Sequence, residues 1–140
     1  MHYLNLLEMF SCLMMTGIIW LIQIVHYPSF AFIAKEKFIS FEGFHQKKIS
    51  ILVIPLMSCE CISHFLSYSL RDFSFSLRSL LPTLALLAIW FITFFMCVPC
   101  HNKLCNCFDH GVLRKLIFYN WFRTFFWSLR SFFFFLEQIY

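Results

Sequence analysis

The sequence predicts an all-α fold: a polytopic membrane protein built as an antiparallel bundle of four transmembrane helices, with a short interfacial amphipathic helix between spans one and two. Composition is the first reason. Of the 140 residues, 61% are hydrophobic, 21% aromatic and only 13% charged, whereas a soluble domain carries about 25% charged residues. So few charges cannot dress a water-facing surface. The second reason is that the apolar residues fall into four runs, each long enough to cross a hydrocarbon core of about 30 Å at 1.5 Å per residue. The third is that the connections between runs are short, which makes consecutive helices antiparallel neighbours. The length allows one domain, 1–140.

The first span covers 4–27 and closes at His26-Tyr27-Pro28. A cleaved signal peptide is not expected: no Lys or Arg precedes the run, Glu8 sits inside its start, and a small-residue cleavage site is lacking. Segment 28–48 differs. Phe30, Ile33, Phe38, Phe41 and Phe44 are interleaved with Lys35, Glu36, Lys37, Glu42, Lys47 and Lys48, the pattern of a helix lying in the interface. Span two covers 49–70 and is interrupted by Glu60 and His64. A polar turn, 71–79, leads to span three, 80–98, which Pro99 is expected to stop. A second polar connection leads to span four, 116–139, which carries Arg123, Arg130 and Glu137.

Orientation follows from the Lys and Arg residues of the loops. Lys35, Lys37, Lys47, Lys48, Lys103, Arg114 and Lys115 lie on one side, against Arg71 and Arg78 on the other. Both longer loops are therefore expected in the cytoplasm and both chain ends outside, in a multi-pass protein of the cell membrane. The net charge of +4 is too small and too scattered for a nucleic-acid partner. Three glycines form no phosphate loop, and no Ser sits in a nucleophile elbow.

The informative residues are the polar ones at membrane depth. An Arg at mid-bilayer costs about 2.5–3.5 kcal/mol on insertion scales, so it faces the bundle interior and finds a partner. Glu60 and His64 share one face of span two, and Arg123 and Arg130 share one face of span four. Counted from the cytoplasmic ends, Glu60 lies about 16 Å deep, Arg123 about 11 Å and Arg130 about 21 Å. Glu60 is thus expected to pair with Arg123, Arg130 or both. Such a pair either locks two helices together or, with His64, serves a proton relay or transport path.

A second group gathers at the cytoplasmic mouth: Gln23 and His26 on span one, His45 before span two, His101 and Asn102 after span three, Asn120 and Arg123 at the start of span four. Three imidazoles from three elements could hold a metal, a haem or a polar headgroup. They could equally sit wet at the interface. Trp20, Trp90 and Trp127 would pack against the rings of a lipophilic ligand. In an enzyme, a His would act as general base and Arg123 would stabilise the anion.

The cysteines are Cys12, Cys59, Cys61, Cys97, Cys100, Cys105 and Cys107. Their odd number and membrane depth argue against a disulfide framework. Cys97 to His101 reads C-V-P-C-H, by letters a c-type haem attachment pattern. It sits at the end of a span on the expected cytoplasmic side, where such attachment does not occur. A Cys97–Cys100 redox pair and a zinc site of Cys100, His101, Cys105 and Cys107 are alternatives, as is free Cys acting as a small hydrophobe.

Three stretches carry a resemblance: T-G-I-I-W-L-I-Q-I-V-H-Y-P at Thr16 to Pro28, V-P-C-H-N-K-L at Val98 to Leu104, and N-W-F-R-T-F-F-W-S-L-R at Asn120 to Arg130. They resemble small four-helix bacterial membrane proteins of unknown function. The second and third are also similar to the anthrone-oxygenase-like membrane family. That resemblance implies a four-helix bundle and an oxygenase-like activity on a polycyclic or quinone-like substrate, with Pro99, Asn102, Leu104, Trp121 and Arg123 at the matching positions. Other classes remain open: a transport or proton-relay oligomer using Glu60, His64 and Arg130, or an assembly subunit that binds another membrane protein through a face such as Phe132 to Phe135.

Overall fold

The computed structural model describes residues 2–70 and 77–139. The expected turn at 71–79 lies largely outside them, as do the side chains of Arg71, Arg78 and Glu137. Every described element is helical, and no strand occurs among the described residues. Four long rods account for nearly all of them. α1 is His2–Phe32, α2 is Lys35–Ser69, α3 is 77–106 and α4 is His110–Ile139. Three stretches, His2–Phe32, Lys35–Ser69 and Leu80–Asn106, are long and apolar enough to cross a membrane. α4 has 30 residues, but Asn120, Arg123 and Arg130 dilute its apolar character.

α1 and α3 share an irregularity with a clear cause. In α1 the helix widens into one π-helical turn, Ile22–His26, directly before Pro28. In α3 the same widening, Thr93–Cys97, directly precedes Pro99. Proline has no N–H to donate, and its ring collides with the carbonyl four residues back, here Ile24 and Phe95. A widened turn accommodates both faults, and the bonding shifts accordingly: the Tyr27 N–H reaches Ile22 and the Val98 N–H reaches Thr93. Helix then resumes with proline in its first turn, where a missing N–H costs nothing. Pro99 therefore does not stop the third rod. It continues to Asn106.

The expected separation of an interfacial helix from span two is also corrected. Lys35–Ser69 is one helix of 35 residues, about 52 Å long at 1.5 Å per residue. No proline interrupts 44–51, and Phe38, Glu42 and His45 recur on one face that is buried in the protein. Phe38 packs on Phe108, with ring centroids 4.5 Å apart, and on Phe30 at 5.5 Å. Those rings belong to the core, while Phe44 remains exposed. The fourth rod starts earlier than 116. The Asp109 carboxylate caps it by accepting from the N–H groups of Gly111 (2.6 Å) and Val112 (3.2 Å).

α1 packs against α2 and α4, and α3 packs against α4. Among the described residues, the α2–α3 backbone contacts concentrate at Val98–Asn106. Between α2 and the 77–97 part of α3, the backbones stand apart.

Candidate functional site

The interior holds two polar clusters with a cavity between them. The first is built on Arg130, which is fully buried. Its Nε donates to Glu60 Oε1 (2.8 Å), its Nη2 to Glu8 Oε1 (2.9 Å), and its Nη1 to the carbonyl of Pro82. Glu60 Oε2 accepts from Trp127 Nε1 at 3.0 Å. His64 bridges Glu8 Oε1 (2.7 Å, through Nδ1) and Thr83 Oγ1 (2.9 Å, through Nε2). All four rods contribute. Two carboxylates face one guanidinium and one imidazole, and both Glu60 oxygens are paired. Removing any one charge from such a network leaves an uncompensated buried partner, so the four rods are held to one arrangement.

Of the two partners expected for Glu60, Arg130 is the one it meets. Arg123 points elsewhere: its Nη1 donates to Asn120 Oδ1 (3.1 Å) and its guanidinium lies 5.1 Å from the centroid of the Trp127 ring. His64 pairs with Glu8, not with Arg130. Glu8 is the member that sequence reasoning missed.

The second cluster contains the residues expected at the mouth, divided into three groups. Gln23 Oε1 accepts from Asn120 Nδ2 at 2.7 Å, which extends to Arg123 through Asn120. His26 stacks on His45 with centroids 4.0 Å apart, and His45 lies 6.1 Å from His101. Asn102 is exposed and joins Gln46, which donates to it at 3.1 Å. An unforeseen residue organises the imidazoles. Glu42 is fully buried, and its Oε1 lies 2.5 Å from His101 Nδ1. The other Glu42 oxygen, and His26 Nε2, are buried without a hydrogen-bond partner.

Among the described residues, no group of three or more His, Cys, Asp or Glu is arranged to hold a metal ion. His26 and His45 present ring faces to each other, not lone pairs. The cysteines are free thiols. Cys97 and His101 line the cavity and Cys100 does not.

The cavity has a volume of about 400 Å³ and lies between α2 and α3. Ile49, Val53 and Met57 line it from α2; Trp90, Phe94 and Cys97 line it from α3. Both π-helical turns touch it, through Ile22 and through Thr93, Phe94 and Cys97. Its polar end is formed by His45, His101 and Arg123. Trp20 and Trp127 do not line it. Trp20 bonds to Ser128 and stacks edge-on against Trp121.

Two donor atoms on lining residues have no hydrogen-bond partner among the described residues, although Arg123 is held through its Nη1 by Asn120. Trp90 Nε1 and Arg123 Nε are buried and unpartnered. An unsatisfied buried donor costs about 1–3 kcal/mol, and more when charged. Both lie on residues that line the same apolar space. No protein-family model, curated protein or solved structure matches the chain.

Proposed function

We propose that this is a four-span antiparallel helical membrane protein, with both chain ends outside the cytoplasm, that binds a lipophilic ligand with a flat head bearing hydrogen-bond acceptors. One observation carries the reading: an apolar cavity of about 400 Å³ whose wall holds two unpaired buried donors, Trp90 Nε1 and Arg123 Nε. A ligand oxygen, such as a carbonyl or phenolate, supplies the acceptor that a donor of this kind lacks. The volume lies within the range of small-molecule sites, and mixing apolar lining with few convergent polar groups is their usual chemistry. Trp90 supplies a ring face for a planar head.

The site also carries a proton acceptor. His101 lines the cavity, and Glu42 holds its Nδ1. In an enzymatic form of the function, His101 takes a proton from an acidic phenol or methylene of the ligand, and Arg123 holds the resulting anion. That form, with a polycyclic or quinone-like substrate, is the one that the resemblance to the anthrone-oxygenase-like family would imply. The Glu60–His64–Arg130 network supports a structural lock better than a proton relay, because its carboxylate and guanidinium groups are engaged with one another. Exposed Phe125, Phe132 and Phe135 on α4 suit lipid or a partner helix.

Equilibrium binding of radiolabelled 2-methyl-1,4-naphthoquinone to the protein in lipid nanodiscs tests the reading. Trp90→Phe keeps the ring and deletes one donor. It is expected to weaken binding about tenfold, near 1.4 kcal/mol, with the melting temperature unchanged. Absence of saturable binding to the unmodified protein, or binding indifferent to Trp90→Phe, sinks it.

A further inference from the structure

The seam between α2 and α3 is fastened at two levels and open between them. Near one end Glu42 meets His101 at 2.5 Å, Gln46 donates to Asn102 at 3.1 Å, and Cys105 Sγ donates to Gln46 at 3.3 Å. Toward the other end His64 meets Thr83 at 2.9 Å. Between these clasps the two backbones do not pack closely, and the cavity occupies the gap.

Two of its lining residues reach the outer surface. Ile54 on α2 is 61% exposed and Phe94 on α3 is 52% exposed. Ile51, Phe91 and Phe95, nearby along the same two helices, are also exposed and apolar. They belong to two of the stretches apolar enough to cross a membrane. A mouth with such a rim opens onto lipid chains, because exposed apolar surface of this kind is stable only in hydrocarbon. Pro55 stands beside it and removes the backbone bond to the Ile51 carbonyl.

From this geometry, and resting on the ligand site proposed above, we infer that the ligand is a membrane-dissolved lipid with a planar acceptor-bearing head and a long hydrocarbon tail, which enters sideways between Ile54 and Phe94 and leaves its tail in the bilayer. The head lies inside the cavity, against lining residues that include Trp90 and Arg123. A cavity of about 400 Å³ is at the small end of ligand sites, so a long chain joined to the head passes out through the mouth. The polar end is closed by the Glu42–His101 and Gln46–Asn102 clasps, so the seam, and not the aqueous face, is the route of entry. Such a ligand never crosses water.

The test compares two radiolabelled probes in nanodiscs, 2-methyl-1,4-naphthoquinone and the same head carrying a long prenyl chain. Ile54→Trp places a larger ring at the mouth of the cavity and keeps Trp90 and Arg123. It is expected to weaken the tailed probe at least tenfold and the tailless probe less than twofold, whereas Trp90→Phe weakens both. Equal loss of both probes, or of neither, in a folded Ile54→Trp protein overturns the inference. A tailed probe with a diazirine midway along its chain gives a second measure in the unmodified protein. Cross-links are expected at 51–54 and 91–95, and cross-links confined to the aqueous face around 42–46 overturn it. Failure of both probes to bind the unmodified protein is failure of the ligand site itself. Tight head binding that ignores the tail is failure of the sideways route alone.

Discussion

Arg130 shows what a single side chain decides here. It is 0% exposed and joins α4 to three other rods through Glu8, Glu60 and the Pro82 carbonyl. Arg130→Gln leaves two buried carboxylates without their cation, so it is expected to cost about 3–5 kcal/mol, read as a large drop in thermal stability in detergent. Glu60→Gln introduced into that background is expected to cost at least 1 kcal/mol less than Glu60→Gln alone, the mark of coupled sites in a double-mutant cycle. The Glu60–Arg130 pair was legible from depth along two helices. Glu8 was not, because an acid at the start of an apolar run looks like an interfacial charge. Glu42 was hidden similarly among alternating Lys and Glu residues that look like a solvated face. Which donors lack partners, Trp90 and Arg123 above all, belongs to packing in three dimensions and leaves no trace in local sequence.

At the scale of elements, the two proline-linked π-helical turns set where the lining residues point. In an unbroken α-helix, residues five apart sit about 140° from each other. Ile22 and Tyr27 nevertheless both face the cavity, as do Thr93 and Val98. Pro99→Ala restores a donor and lets the turn close to regular α-helix. Binding of the naphthoquinone probe is expected to fall at least tenfold, while helix content by circular dichroism and the melting temperature do not fall. The sequence identified Pro99 as a stop because a missing N–H is visible locally. Resumption beyond it depends on a widened turn and on the packing of Cys100 and Leu104, both buried. The break expected between 48 and 49 failed for a related reason: charged residues spaced along a helix describe its outer face and say nothing of Phe38, Glu42 and His45 buried behind it.

For the whole molecule, helical class and apolar rods were plain from composition and run length, while the cavity follows from where rods do not touch. The orientation proposed from the Lys and Arg bias has a direct check in Cys107, an exposed thiol in the connection after α3. In a variant that keeps this cysteine alone, a membrane-impermeant maleimide is expected to label only after the cells are opened. Labelling of intact cells reverses the orientation. The buried network also bears on how the protein is made. Glu8 and Glu60 are synthesised before Arg130, the cation that neutralises them, and they lie on rods long and apolar enough to cross a membrane. α4, with Asn120, Arg123 and Arg130, is the rod least suited to lipid by itself. Until it docks, the nascent protein holds two acids in an apolar medium, and the last helix in turn needs those acids to stay there. Docking of α4 and neutralisation of the two acids are therefore a single event, and a variant truncated before His110 is expected to lose both.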